Sequence, residues 1–152
     1  IAHVYHELSQ INNNAELIAY VDPLPIGREY AEKNNFFPKK SYPTLKEMIS
    51  SESLDLLMIG SPNHLHLEHI KEGLSFGLKI FAEKPIVVDE EQTIELAKLI
   101  KEYGRDKILV GLVLRYSQHA RSVRDLINKN LIGNVISIEA SVDACRDTFN
   151  HE

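Results

Sequence analysis

Cysteine is almost absent from this chain, with one in 152 residues. Cys145 has no partner for an internal disulfide, and no Cys/His finger spacing is present, so a reducing, cytoplasmic setting is expected. No apolar run is long enough to span a bilayer and no signal peptide opens the chain, which leaves no membrane role to expect. Basic residues are scattered rather than clustered and the net charge is −5, which argues against a nucleic-acid surface. Internal repeats, linkers and low-complexity tracts are lacking. So is a glycine-rich turn near the start. What is there is ordinary for a globular protein, 43% apolar and 26% charged, in a length that fits one domain or one domain with a piece of a second.

Short apolar runs alternate with segments of helical period. Ala2, Val4, Tyr5, Leu8 and Ile11 fall on one helical face, and "NNN" breaks that helix. "ELIAYVD" (16–22) reads as a strand, 26–35 as a helix and "FFPKKSYP" as a connection. Thr44 caps the next helix, with Glu47 at capping-box spacing. "DLLMIG" (55–60) is a strand, "SPNH" a turn, 64–76 a helix and "KIFAE" (79–83) a strand. Asp89 caps a long helix that Gly104 closes. "KILVGLVLR" is a further buried strand, 117–130 an amphipathic helix, and "NVISIEASV" a last strand. Near-continuous apolar strands separated by helices imply a parallel sheet covered on both faces. The fold class is α/β, doubly wound.

Doubly wound nucleotide-binding domains begin with a strand and a glycine turn whose backbone N–H groups hold pyrophosphate, and an acidic residue about 20 positions later binds the ribose hydroxyls. Here the opening residues fall where that turn would be ending. Ile1 and Ala2 are then its last positions, with Ala2 in the final small-residue place, and Asp22 stands where the acidic residue belongs. Asp22 before Pro23 is equally a turn former, and both readings stay open. A carboxylate accepts from both ribose hydroxyls and repels a 2′-phosphate, and the next arginine, Arg28, comes six residues later. NAD is therefore expected over NADP. With the first strand missing, 16–22 and 55–60 each lose a neighbour, and either a gap between them or another segment in the missing place is expected.

"FAEKPIVVDEEQ" (81–92) places Glu83, Lys84 and Pro85 at the end of a buried strand. Polar residues at the carboxyl end of a parallel strand often face a ligand. The opening helix, Asp22, "MIGSPNHLHLEHIKEGLSFGLKIFAEKP" and "VGLVLRYSQHARSVRDLINKNLIGNV" together resemble the Gfo/Idh/MocA family of nicotinamide-dependent oxidoreductases, over about residues 1 to 141. The resemblance implies a Rossmann-like domain over 1–114, first strand missing, and the beginning of a second α/β domain over 115–152. It implies oxidation or reduction of a small-molecule sugar or polyol, in a whole protein that assembles as a homo-oligomer. Ser61, Pro62 and Asn63 would form the turn past the cofactor, His66 would begin the helix behind it, and Glu83 would approach the nicotinamide ribose. Lys84 would be the catalytic residue, touching cofactor and substrate, with Pro85 shaping its turn. Arg115 would lie near the nicotinamide and Tyr116 near the substrate. The family's further aspartate and histidine, on a helix of the substrate domain, have no match here, and His151 in "TFNHE" fits no such motif. The 152 residues alone are therefore expected to be inactive.

A lysine suits that chemistry because oxidising a secondary alcohol releases a proton, which a lysine partly desolvated in a cleft accepts. The bland alternative is a solvated strand-end lysine beside a glutamate. Arg115 and Tyr116 equally suit a domain junction, and Asn63 an ordinary helix cap. Two other functions compete. A dinucleotide-binding fold also serves as a non-catalytic sensor or regulatory module. In "HLHLEH", His66 and His69 share a helical face, and with His64 they suggest a metal-dependent hydrolase, although no further ligands are suggestively spaced. No metal is expected. His3, His6 and His119 read as helix-surface residues.

Overall fold

A computed structural model describes residues 15–33 and 40–141. The chain divides into two compact units, Ile1–Leu112 and Val113–Glu152. In the first, strands β1 (Tyr20–Val21), β2 (Ser41–Tyr42), β3 (Leu56–Ile59), β4 (Lys79–Ala82) and β5 (Ile108–Val110) alternate with helices α1 (Pro25–Lys33), α2 (Leu45–Ser51), α3 (His66–Ser75) and α4 (Glu90–Tyr103). All strand pairs are parallel: β1 with β2, and β3–β4–β5 in that order. The class is α/β with parallel strands, as the sequence pattern indicates. Among the described residues β1 and β3 belong to separate sheets, each with one unpaired edge.

The core forms where helices cover one face of the larger sheet. Along β3, Leu57 and Ile59 are buried while Leu56 and Met58 are exposed. Ile80 and Ala82 of β4 join the buried side, as the two-residue period of a strand requires. Leu67, Ile70 and Leu74 form the apolar stripe of α3, spaced at three and four residues. Leu45 and Met48 of α2 complete the cluster, and Val21 of β1 and Tyr42 of β2 pack against it. Each large side chain buried there contributes about 1.5–3 kcal/mol. Gly73 allows α3 to lie close on the sheet, since a Cβ there would sit 2.6 Å from Ile80 Cδ1 and 2.8 Å from Leu57 Cδ2. The opposite face, with Leu56, Met58 and Leu109, is exposed among the described residues, so the expected two-sided cover is seen on one side only.

Local signals place the helix ends. Thr44 Oγ1 accepts from Glu47 N at 3.2 Å and donates to the Glu47 carboxylate at 2.9 Å. Asp89 accepts from Gln92 N at 2.7 Å, and Gly104, at φ 95°, ends α4. Gly77, at φ 81°, lets its own N–H reach Leu74 O and the Leu78 N–H reach Gly73 O, closing α3 in a left-handed cap.

The second unit opens with a 3₁₀ turn, Val113–Tyr116, and α5 (Gln118–Asn128), capped by Ser117 Oγ accepting from Ala120 N at 3.2 Å. Three sequence expectations change. The strand expected over 107–115 is confined to Ile108–Val110, because Leu112 N turns back to Val110 O at 2.8 Å. The strand expected over 134–142 is not formed in its described part, where Ile136 and Ile138 are 96% and 77% exposed. A strand exists only against a partner, and within this unit the described residues offer none. Ser41–Tyr42, expected as a connection, pairs with β1. The helix expected near the start, with Ile1, Ala2, His3 and His6, and also Cys145 and His151, lie outside the described residues.

Candidate functional site

The polar residues singled out in the first unit collect at the carboxyl ends of its strands. β1 ends at Asp22, whose Oδ1 accepts from Leu24 N at 2.8 Å, so the turn-forming role of this carboxylate is realised. The Arg28 guanidinium donates to the Asp22 backbone carbonyl. Gly27 makes room for the carboxylate, since any Cβ there would collide with Asp22 Oδ2. Oδ2 is the oxygen left over by the turn bond.

β3 runs into Ser61–Pro62–Asn63. Asn63 does not cap a helix; it begins a 3₁₀ turn that leads into α3, and neither helical segment has a side-chain cap. Asn63 is exposed. Ser61 Oγ lies 2.9 Å from His69 Nδ1. Burial pushes the His69 pKa down, aided by His66, against the opposing pull of Glu68 and Glu72. His66 is 1% exposed, and its two ring nitrogens face the Ser61 and Pro85 carbonyl oxygens.

β4 ends in Glu83–Lys84–Pro85, with a cis peptide bond before Pro85. Glu83 N donates to Ile59 O at 2.9 Å, and Gly111 N to Ala82 O at 2.8 Å. These bonds bring the ends of β3, β4 and β5 side by side. The Glu83 carboxylate lies against Gly111, where a Cβ would stand 3.2 Å from its atoms. Lys84, expected to be partly desolvated, is exposed among the described residues. Arg115 and Tyr116 lie in the second unit, within the 3₁₀ turn Val113–Tyr116, and Arg124 Nη2 donates to the Arg115 carbonyl at 2.9 Å.

The structure thus joins Ser61, His66, Glu83 and Pro85 through hydrogen bonds and strand pairing. Gly27 and Gly111 were not among the residues chosen from sequence. A glycine directly after a buried strand run, as in "ILVG", is a signal of close approach; Gly27 had no such signal. The metal-hydrolase alternative finds no support: both ring nitrogens of His66 face carbonyl oxygens, and His69 Nδ1 faces Ser61 Oγ. Among the described residues no three metal-ligating side chains cluster.

Parallel strands that alternate with helices and end in polar turns make this a Rossmann-like α/β domain. The chain belongs to the Gfo/Idh/MocA oxidoreductase family, described as an oxidoreductase family with an NAD-binding Rossmann fold, which matches residues 1–112. NAD is the cofactor of that domain. Among curated relatives, an uncharacterized oxidoreductase of Streptococcus pneumoniae is 28% identical over 84% of this chain and 33% of its own length. The crystal structure of myo-inositol 2-dehydrogenase from Lactobacillus plantarum superposes with a TM-score of 0.75 at 28% identity, covering 89% of this chain and 39% of that one. Scyllo-inositol dehydrogenase from Lactobacillus casei, with bound NAD(H) and scyllo-inositol, shares the fold at a TM-score of 0.74 and 24% identity, over 85% of this chain and 38% of that one. The chain spans about a third of the length of the curated relatives it matches. Among the described residues no helix is long and apolar enough to cross a membrane.

Proposed function

We propose that this chain is the cofactor-binding part of an NAD(H)-dependent oxidoreductase acting on a hydroxyl or carbonyl carbon of a sugar or polyol. The observation that carries it is Lys84, an exposed ammonium at the end of β4, in a turn joined to Ser61–Asn63. The donor set fits a dinucleotide. Asp22 Oδ2 offers an acceptor for ribose hydroxyls, Asn63 offers donor and acceptor groups, and Gly27 and Gly111 keep backbone space clear beside the two carboxylates. The nicotinamide supplies hydride exchange when bound. As the neutral amine, Lys84 Nζ would take the proton of the substrate hydroxyl during oxidation and become the ammonium, which would return that proton during reduction. Its desolvation comes from bound ligands and the rest of the protein. In this reading Glu83 would approach the nicotinamide ribose, and Arg115 and Tyr116 would serve the nicotinamide and the substrate.

The relatives with inositol substrates support a polyol. Residues from Val113 onward are read as the start of the substrate domain, and activity and homo-oligomeric assembly as properties of the whole protein, not of these 152 residues alone. The test is turnover of inositols, other polyols and their keto forms by the intact protein with NAD⁺ or NADH, followed by nicotinamide absorbance. Lys84→Ala is expected to lower kcat by about 10²- to 10⁴-fold, the range of general acid–base catalysis, with NAD(H) affinity nearly unchanged. A variant with full turnover removes Lys84 from the mechanism. An intact protein that binds NAD(H) but turns over none of these compounds favours a sensor.

A further inference from the structure

We infer that His66 is a positioning residue whose ring ties the Ser61–Asn63 turn to the Lys84–Pro85 turn and so holds Lys84 in place; this rests on the proposed role of Lys84. The parallel ladder between β3 and β4 carries the two strands together as far as Glu83 N donating to Ile59 O. Past that bond, no backbone hydrogen bond joins the two turns among the described residues. Pro85 has no N–H to extend the ladder. The imidazole takes over there. His66 Nε2 lies 2.8 Å from Ser61 O and Nδ1 2.8 Å from Pro85 O, 19 residues along the chain.

The ring is itself held. His66 is the first residue of α3, and the next turns of that helix are fastened to the core by Leu67, Ile70 and Leu74. With 1% exposure, its nitrogens have these two carbonyls as partners instead of water. A neutral imidazole donates to one of them and a protonated ring to both. A hydrogen bond to each turn therefore needs a proton on both nitrogens; a neutral ring bonds one carbonyl and only packs against the other. The polar atoms of His66 therefore face backbone rather than cofactor, and its effect passes through the residues that flank those carbonyls, Lys84 above all.

The test is a double-mutant cycle in the intact protein, read beside amide hydrogen exchange. His66→Leu keeps an apolar side chain of similar bulk and removes both contacts, while His66→Gln keeps one donor. In wild-type background, His66→Leu is expected to lower kcat about tenfold or more, and His66→Gln by less. In Lys84→Ala background, either change is expected to lower kcat by no more than about twofold, because residues acting through one group are not additive. Exchange of the amides in 61–65 and 84–88 is expected to rise together in both His66 variants, while that of β3 and β4 stays protected. Equal fold losses in the two backgrounds, or faster exchange in one turn alone, overturn the inference. A Lys84→Ala protein with full turnover, alongside coupled exchange in both turns, instead sinks the role given to Lys84 and leaves the tether standing. Should His66→Leu fail to fold, His66→Gln carries the same comparison.

Discussion

The carboxylate of Glu83 rests against the bare Cα of Gly111, so the end of β4 and the end of β5 touch where a side chain at position 111 would crowd that carboxylate. Added at Gly111, a Cβ would stand 3.2 Å from three atoms of that carboxylate. This is a close approach made by a glycine inside a buried position, and it sets where Glu83 sits beside Lys84.

Gly111→Ala is expected to push the Glu83 carboxylate aside by a few tenths of an ångström and to leave a net loss of no more than about 2 kcal/mol, the crowding being offset in part by a less flexible unfolded chain. Urea unfolding measures it as a lower midpoint at an unchanged slope. A midpoint at or above that of the wild type would show that Glu83 swings aside freely.

Gly73→Ala sets two effects against each other. Replacing glycine inside a helix favours the helix by about 0.8–1 kcal/mol. The new methyl would meet Ile80 Cδ1 at 2.6 Å and Leu57 Cδ2 at 2.8 Å, and such overpacking costs about 1–3 kcal/mol. The clash lies at the centre of the core, where Ile80 is 1% exposed, so overpacking outweighs the gain in helix propensity. A lower thermal midpoint is expected, and a higher one would mean that α3 lifts off the sheet without loss.

Asp22 is expected to make the intact protein bind NAD(H) more tightly than NADP(H), since its carboxylate accepts from a ribose and repels a 2′-phosphate. Asp22→Ala is expected to narrow that gap and also to lower stability slightly, because the bond from Leu24 N is lost with it. Titration by nicotinamide fluorescence reads the first effect. Equal affinities in the wild type would end the argument from Asp22.

His69 gives a pH dependence with a definite sign. Burial holds its folded pKa below the ordinary value of 6.5, so between those two values the unfolded chain binds more protons than the folded one. Stability therefore rises with pH across that window, and falls as pH drops through it. In His69→Gln that part of the slope is expected to vanish when unfolding free energy is measured from pH 7.5 or so down to about 5. A variant with the wild-type slope places the titration elsewhere.

Much of the frame was legible because its causes are local. Thr44 with Glu47 and Asp89 with Gln92 announce helix starts by spacing alone, since a cap bonds within its own first turn. The stripe of Leu67, Ile70 and Leu74 needs nothing beyond helical period, whereas β3 is apolar at all four positions, so its sequence does not say which face the helices cover. The run 134–142 shows the limit of this. Its sequence alternates as a half-buried strand would, yet Ile136 and Ile138 stand exposed, because a pattern states what a strand would bury and a neighbour decides whether it forms.

The chemistry at the strand ends divides the same way. Sequence placed Lys84 after a buried strand and Asn63 in a turn, which are statements about neighbours along the chain. Only the tertiary structure decided that His66 faces two carbonyls rather than a ligand, that Ser61 meets His69, and that Gly111 lies against Glu83. Those contacts arise between segments 5 to 28 residues apart, brought together by the packing of α3 and the pairing of β3, β4 and β5. Distance along the chain carries no record of which side chains a parallel sheet will set side by side, because each crossover helix separates strands in sequence that the sheet makes adjacent in space.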